Sequence, residues 1–566
     1  MYGWEMVGFN NVGYDYPMLH YFWSHGGCTA ADLHRKTVEI IFASNEDRFA
    51  NMIWPKNRLV KQIDLFKIHH FDNKAKMTSL KAIEFNMRLD SVEDLPFKPN
   101  ERLTKEQVPV LLDYNHHDVV ATKAFYLETL PAIELREALS KEYNKDFINH
   151  NDVKIGKQIF ETKLQNQGVD LYEFGEFGRK PKQTKRDSIN LAECVPNYIR
   201  FKDVGFNKIL DHFLTTTITE TKGAFDNLST RFKGLGFDFG TGGLHASVNN
   251  KVFKSDEEYV IIDADVTSMY PSIAITNRYF PEHLGEKFIQ VYSDLKEERL
   301  KHKKGTPQNA ALKLALNGTF GATNDKFSVF YDPKCTMQIT ITGQLCLAML
   351  ADMLSDTIPD IQFIQANTDG ITTIMKRSDI DWYNTVCKTW EKITGLDLEY
   401  VNYDKMFIAD VNNYLAVTDT GKIKRKGKYS YEPQWHQNAS KLVVPMVAEK
   451  VLLEDVSISK TLNEWPDIMD FMCRVKVPRS SYLVGETDGA EYTYPNMSRY
   501  YVANGGAKLT KIMPPLKKNP EKWRRIGVES GWRVNICNHV KDIKLPIDYN
   551  YYCQEVEKLV EGFTDG

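Results

Sequence analysis

The chain is short of several things that would have pointed elsewhere. Its eight cysteines are scattered from Cys28 to Cys553 with no C-x-x-C pair, which argues against a zinc site or an extracellular disulfide framework. No stretch approaches the ~18 uninterrupted apolar residues of a membrane span, and Met1-Tyr2-Gly3-Trp4-Glu5 has neither the basic nor the apolar region of a secretory signal. These absences lead to the expectation of a reducing, cytoplasmic setting without a membrane partner. Basic excess is also missing: 72 Lys and Arg stand against 75 Asp and Glu, a net charge of −3. A protein that held nucleic acid by charge alone would be strongly basic, so any DNA binding here requires cations gathered in a channel and offset elsewhere. Neither an internal repeat nor a low-complexity tract is visible.

What is there is ordinary globular composition over 566 residues, 42% hydrophobic and 26% charged. At ~100–200 residues per domain this suggests three or four domains. Residues 1–135 mix short apolar runs with helix-like segments such as Asp118 to Leu130, consistent with an α/β unit. Residues 136–245 are more polar and end in the turn Gly240-Thr241-Gly242-Gly243. From Tyr259 to Thr373 the pattern is strand, helices, strand pair, with the charged stretch Leu295 to Gly305 between two helix-like segments. Beyond about residue 430 the chain is rich in Tyr, Trp and basic residues.

Three segments carry chemistry. Asp265-Val266-Thr267-Ser268-Met269-Tyr270-Pro271-Ser272 follows the β-branched run Tyr259-Val260-Ile261-Ile262, which reads as a buried strand. An acid at the end of such a strand projects from a rigid sheet, and magnesium wants hard oxygen ligands with positions left for water and phosphate. The bland alternative is a strand ending in a polar turn. In Lys313-Leu314-Ala315-Leu316-Asn317-Gly318-Thr319-Phe320-Gly321, positions i, i+4 and i+7 share a helix face. Lys313, Asn317 and Phe320 therefore form a stripe of cation, amide and ring, suited to a nucleotide, although an amphipathic helix with a solvated lysine gives the same pattern. In the third, two apolar β-prone runs flank Asn367-Thr368-Asp369-Gly370, and Asp-Gly is a strong hairpin-turn signal. Asp369 would then sit at a hairpin tip facing Asp265, two carboxylates able to hold two metals for in-line phosphoryl transfer.

In order and context these segments resemble motifs A, B and C of the family B DNA polymerases, whose common forms are Asp-x-x-Ser-Leu-Tyr-Pro-Ser, Lys-x-x-x-Asn-Ser-x-Tyr-Gly and Asp-Thr-Asp-Ser. The resemblance implies that Asp265 and Asp369 are catalytic metal ligands, with the Val266 carbonyl as a further ligand to Mg2+ (two ions, Mn2+ as an alternative). It implies that Tyr270 is the steric gate under the sugar, that Lys313 binds the triphosphate, and that Asn317 and Phe320 help position the nucleotide. Arg299 and Lys303 are weaker phosphate candidates. Asn367 replaces the first acid of the Asp-Thr-Asp form, Gly370 its serine, Gly318 the serine and Phe320 the tyrosine of the second motif. Phe239-Gly240-Thr241-Gly242-Gly243 resembles the family's Tyr-x-Gly-Gly template-contacting segment. Lys424-Arg425-Lys426-Gly427-Lys428-Tyr429 resembles its Lys-x-Tyr motif on the primer strand, so Gly242, Gly243, Lys426, Lys428 and Tyr429 become DNA-binding candidates.

The N-terminal region resembles the family's 3′–5′ exonuclease domain in part. Gly8-Phe9-Asn10-Asn11-Val12-Gly13-Tyr14-Asp15 matches the second exonuclease motif through Asn10 and Asp15, and Tyr114-Asn115-His116-His117-Asp118 matches the third through Tyr114 and Asp118. The first motif, Asp-x-Glu, has no place before Asn10, which leads to the expectation of a truncated, split or exonuclease-dead domain. Asp265 and Lys313 are only 48 positions apart, too close for the insertion of protein-primed phage polymerases. With the short total length, the resemblance then implies a phage, virus or mobile-element source acting in a host cytoplasm.

The expected architecture is α/β multidomain: a right-hand polymerase of palm, fingers and thumb behind a partial ribonuclease H-like exonuclease domain. Its parts are 1–135 exonuclease-like, 136–245 connecting, 246–430 palm with fingers inserted at about 280–322, and 431–566 thumb and C-terminal region. Arg499-Tyr500-Tyr501 and Lys508 to Lys511 could grip duplex phosphates, an exposed basic surface being the equal alternative. Primed DNA, deoxynucleoside triphosphates, and an N-terminal fragment or replisome proteins are the expected partners. Three rivals remain: a nuclease resting on Asp15, Tyr114 and Asp118; a non-catalytic DNA-binding relic; and a reverse transcriptase or other palm enzyme.

Overall fold

The computed structural model describes residues 4–44, 49–97, 102–176 and 178–563. The fold is mixed α/β and divides into two compact units. One joins Met1–Asp152 to Tyr431–Val560, and the other comprises Val153–Ser430 with Glu561–Gly566.

The second unit is built on a ten-stranded antiparallel sheet. Its strands run in the order Ile423–Arg425, Asn413–Thr418, Leu398–Asp410, Tyr259–Val266, Gly370–Lys376, Gln362–Asn367, Gly243–Ser247, Leu235–Gly240 and Ser229–Phe232, with Lys251–Lys254 paired to Leu398–Asp410. Tyr259–Val266 is central, and Val260 to Ala264 are buried without a break. A strand covered on both faces can be apolar throughout, which is why it lacks the two-residue alternation of an exposed sheet. The 25-residue helix Pro333–Thr357 fills the core beside it. By length and composition this helix could cross a membrane, but 89% of its apolar window is buried inside the protein. It starts firmly: Asp332 accepts from the Lys334 N–H and takes two hydrogen bonds from Arg186, at 2.7 and 2.9 Å.

Two helices, Glu286–Lys301 and Pro307–Ala322, lie in the interval between the central strand and that core helix. The charged stretch read as a link between helices is itself the last two turns of the first helix plus a short turn. Leu295 is that helix's last buried residue, and beyond it Lys296, Glu298 and Arg299 bond to Ser272, Lys163 and Ser268. Thr306 caps the second helix by accepting from the Asn309 N–H, and Pro307 opens it.

In the first unit the parallel pair Glu5–Gly8 and Lys61–Asp64 packs with the 37-residue helix Gln107–Tyr143 around Ile63, Leu65, Ile68, Phe71, Ile83, Phe125 and Ile133. The helix runs unbroken through position 135. Residues 431–560 contribute a six-stranded sheet centred on Met497–Met513. Arg499, Tyr500 and Tyr501 correct the sequence reading: all three are buried. The Arg499 guanidinium donates to the carbonyls of Leu89, Asp90, Cys537 and Asn538. It ties the sheet to the loop after helix Leu80–Asn86 and has no face left for a phosphate.

Candidate active site

Asp265 is the next-to-last residue of the central strand and lies in register with Gly370 on one side and Glu399 on the other. The neighbouring pair of strands, Gln362–Asn367 and Gly370–Lys376, is a hairpin whose tip is Thr368-Asp369. The Val266 N–H donates to the Asp369 carbonyl at 2.7 Å, locking the tip against the end of the strand. Asp265 and Asp369 are thereby carried on adjacent strand ends.

Gly370 is what makes this approach feasible. A Cβ there would lie 1.8 Å from Asp265 Oδ1 and 2.9 Å from its Cγ, so the carboxylate occupies the space a side chain would fill. On the other side of the tip, Gly243 has φ +129, and a Cβ there would come within 3.0 Å of Thr368. The Thr368 N–H donates to the Leu244 carbonyl at 2.9 Å. The Gly-rich turn, a two-residue hairpin closed by Gly240 opposite Gly243, is thus packed on the hairpin that carries Asp369.

Two non-glycine residues beside the acids hold left-handed backbone, Ser268 (φ 47) and Thr368 (φ 52). Such conformations cost of order 1–3 kcal/mol and persist where the surroundings impose them, often at functional sites.

A cleft of about 670 Å³ opens here. It is lined by Asp265, Val266, Tyr270, Arg299, Lys313, Asn317, Phe320 and Asp369, with Ser268, His302, Lys304 and Glu399 among the remainder. Every candidate for catalysis, metal or nucleotide therefore lines one cavity. Of the weaker cations Arg299 is present, while Lys304 and His302 take the place proposed for Lys303. Lys313 and Asn317 are exposed along helix Pro307–Ala322, whose opposite face buries Ala311, Leu312, Ala315, Leu316 and Thr319. Tyr270 and Phe320 stack with centroids 4.0 Å apart and 19° between planes, and the Tyr270 hydroxyl donates to the Gly242 carbonyl at 3.1 Å.

Electrostatics make the cleft receptive to a cation. Burial, then repulsion from Asp263 and Asp369, pushes Asp265 up to about 7. Asp369 is raised as well, chiefly by burial. Asp263 was not visible as a site residue in the sequence. It lies two positions before Asp265, accepts from Thr372 Oγ1 at 2.7 Å and the Tyr403 hydroxyl at 3.1 Å, and has Lys424 Nζ at 3.7 Å. Lys424, first residue of the basic run, thus turns inward.

The DNA-binding candidates divide. Gly242, Lys426 and Lys428 are exposed, but Gly243 is buried and Tyr429 is only 1% exposed. Tyr429 packs near Phe563 at 6.4 Å, so it anchors the loop that presents the two lysines.

In the other unit the exonuclease-like residues assemble differently. Asp15 and Asp118 line a second pocket, of about 770 Å³. Neither Tyr114 nor Asn10 lines it; the Asn10 N–H donates to Asp64 Oδ1 at 2.9 Å. Lys81 enters from helix Leu80–Asn86. Its ammonium is ion-paired to Asp118, lies 3.5 Å from the fully buried Glu84, and sits 4.4 Å from the centre of the Tyr114 ring. A side-chain cation thus stands against the Asp118 carboxylate of the third exonuclease-like motif. Among the described residues, no group of three or more His, Cys, Asp or Glu forms a metal-ligand cluster.

No family model matches the chain. Over 268 residues it is 21% identical to the DNA polymerase of Thermococcus sp. (strain 9oN-7), a match covering 40% of this chain and 34% of that protein. The similarity is to a DNA polymerase, and it is distant. The chain spans about a third of the length of the curated relative it matches. Among solved structures it resembles the family B DNA polymerase from the hyperthermophilic archaeon Pyrobaculum calidifontis, with a TM-score of 0.39 and 13% identity, over 99% of this chain and 70% of that one.

Proposed function

We propose that the chain is a family B DNA polymerase that extends a primer on a DNA template. The observation that carries this reading is the convergence, in one cleft, of Asp265, Asp369, Tyr270, Lys313, Asn317 and Phe320 from three separated segments. The distant similarity to a DNA polymerase supports it.

In the reaction, the primer 3′-hydroxyl attacks the α-phosphorus of a deoxynucleoside triphosphate. The new P–O bond forms as the bond to the β-phosphate oxygen breaks, and pyrophosphate leaves with its electron pair. Lys313 and Arg299 neutralise the triphosphate, and the Tyr270 ring, braced by Phe320 and by the Gly242 carbonyl, closes the floor beneath the sugar. Asp265 and Asp369 offer hard oxygen donors that repel one another until positive charge arrives, which fits Mg2+ or Mn2+. Because magnesium is commonly held by one or two carboxylates with substrate phosphates completing its shell, two acids suffice. Bound metal would polarise the phosphate and favour the alkoxide form of the 3′-hydroxyl.

Asp369→Ala tests this reading. Extension should fall by at least ~10³-fold while binding of primed DNA is kept, because the acid stabilises the transition state rather than the complex. If the parent binds primed DNA but extends nothing, the polymerase reading falls and a DNA-binding relic replaces it.

A further inference from the structure

The C-terminal sheet of the first unit carries a surface that the polymerase reading does not use. Strands Ala490–Tyr494, Tyr482–Thr487, the second half of Met497–Met513, and Arg524–Gly527 pair in that order. Tyr482, Ile512 and Arg525 lie directly opposite one another across three of these strands, so they share one face. Beside them stands Trp523, its ring centre 6.0 Å from that of Tyr482 at 44°. Both rings are about half exposed, at 47% and 46%, and both belong to the type usually covered when a fold can cover it.

The chain joining the last two strands is strongly basic. Between Lys508 and Arg525 there are five lysines and two arginines against the single acid Glu521. Arg525 is paired to Glu491 at 2.5 Å. Lys517, Lys518 and Lys522 are exposed, and among the described residues none of the three has an acidic partner. In a protein of net charge −3, this concentration of unpaired cations beside two open rings is a local exception.

We propose that this corner binds single-stranded nucleic acid, with bases on Trp523 and Tyr482 and backbone phosphates on Lys517, Lys518 and Lys522. Exposed rings flanked by a cationic track are the arrangement that holds single strands without sequence preference, because every base has a π face and every nucleotide a phosphate. A duplex keeps its base faces stacked inside and cannot use the rings. An acidic protein surface could use the lysines but would leave the rings idle.

The test uses the full chain and an oligothymidylate carrying 5-iodouracil, crosslinked by light and mapped by mass spectrometry, with a self-complementary DNA hairpin as the duplex control. Adducts are expected on Trp523 or Tyr482. The double variant Trp523→Ala, Tyr482→Ala should bind the single strand about tenfold more weakly and the hairpin as the parent does. Trp523→Tyr with Tyr482→Phe, which keeps the rings, should bind the single strand like the parent, separating loss of stacking from misfolding. Adducts confined to residues 153–430, or unchanged single-strand affinity in the double alanine variant, would overturn the proposal. No nucleotide is present, so the outcome does not depend on whether the cleft around Asp265 catalyses extension.

Discussion

The two units each bring a pair of aspartates to the edge of a pocket, and they treat them in opposite ways. Around Asp265 and Asp369, burial first and repulsion from neighbouring acids second raise both carboxyls, Asp265 to about 7. Lys424 stands on Asp263 at 3.7 Å, and Lys426 acts on Asp369 from a distance. Around Asp15 and Asp118, the positive charge is already built in, because Lys81 contacts Asp118 directly and is raised further by Glu84. Among the described residues neither Asp265 nor Asp369 is ion-paired, although Arg299, Lys304 and Lys313 line the same cleft, whereas Asp118 is paired directly with Lys81. On the proposed reading, the cleft around Asp265 carries synthesis and the pocket around Asp118 holds no catalytic metal.

The largest effect should come from removing the built-in cation. Lys81→Met leaves Asp118 without its ion-pair partner and Glu84 with only His117 and the Glu93 N–H, and losing one member of a buried pair costs about 3 kcal/mol. Urea unfolding of the first unit should show that loss in its midpoint, and no 3′-end degradation should appear. Gain of Mg2+-dependent degradation would mean that the lysine merely masks a working nuclease.

Gly370→Ala should come next. Its Cβ evicts the Asp265 carboxylate from its seat, and displacement of a reacting geometry by about 1 Å costs roughly 10²-fold in rate. Single-turnover incorporation measures this. The half-saturating Mg2+ concentration should rise as well, while the melting temperature stays near that of the parent.

Tyr270→Ala should admit a 2′-hydroxyl, raising ribonucleotide incorporation relative to deoxynucleotide by at least about tenfold; unchanged discrimination would remove Tyr270 from the sugar site.

The smallest effect concerns pH and the core beneath the second pocket. Burial, helped by Arg136, lowers His69 to about 4. A histidine whose folded value lies below its ordinary 6.5 contributes stability fully above pH 6.5, and that contribution is lost as pH falls toward 4. Asp64, pushed up to about 6 by burial, works the other way: its contribution is present below its ordinary 3.8 and is lost as pH rises through 6. The two oppose each other in one window, so the parent's stability should vary little there. His69→Phe, which keeps a ring against Phe71, should become more stable relative to the parent by about 1–2 kcal/mol between pH 6.5 and 4.

Much of the cleft could be read from the sequence, because its parts are short local patterns. The strand ending in Asp265, the hairpin carrying Asp369, and the stripe of Lys313, Asn317 and Phe320 are each set by periodicity and turn chemistry within a dozen residues. What stayed hidden depends on contacts between distant segments. Lys81 meets Asp118 across 37 positions, and nothing in Ser79-Leu80-Lys81 marks an internal counterion. Gly370 looks like an ordinary turn residue until Asp265 is seen in the space beside it. Arg499 read as a DNA contact because arginines are mostly exposed, and Tyr429 because it ends a segment resembling a primer-strand motif, yet Arg499 is buried on four carbonyls and Tyr429 near Phe563. Asp263 could not be told from any strand acid until Thr372, Tyr403 and Lys424 surrounded it.

One assay puts both pockets in the same tube. A primer labelled at its 5′ end, annealed to a longer template with Mg2+, is followed with and without the four deoxynucleoside triphosphates, for the parent and for Asp265→Ala. The account predicts that the parent lengthens the primer only when nucleotides are present, never shortens it in their absence, and loses extension with Asp265→Ala. A primer that shortens without nucleotides, and stops shortening in Asp118→Ala, or one that the parent never lengthens, would contradict it.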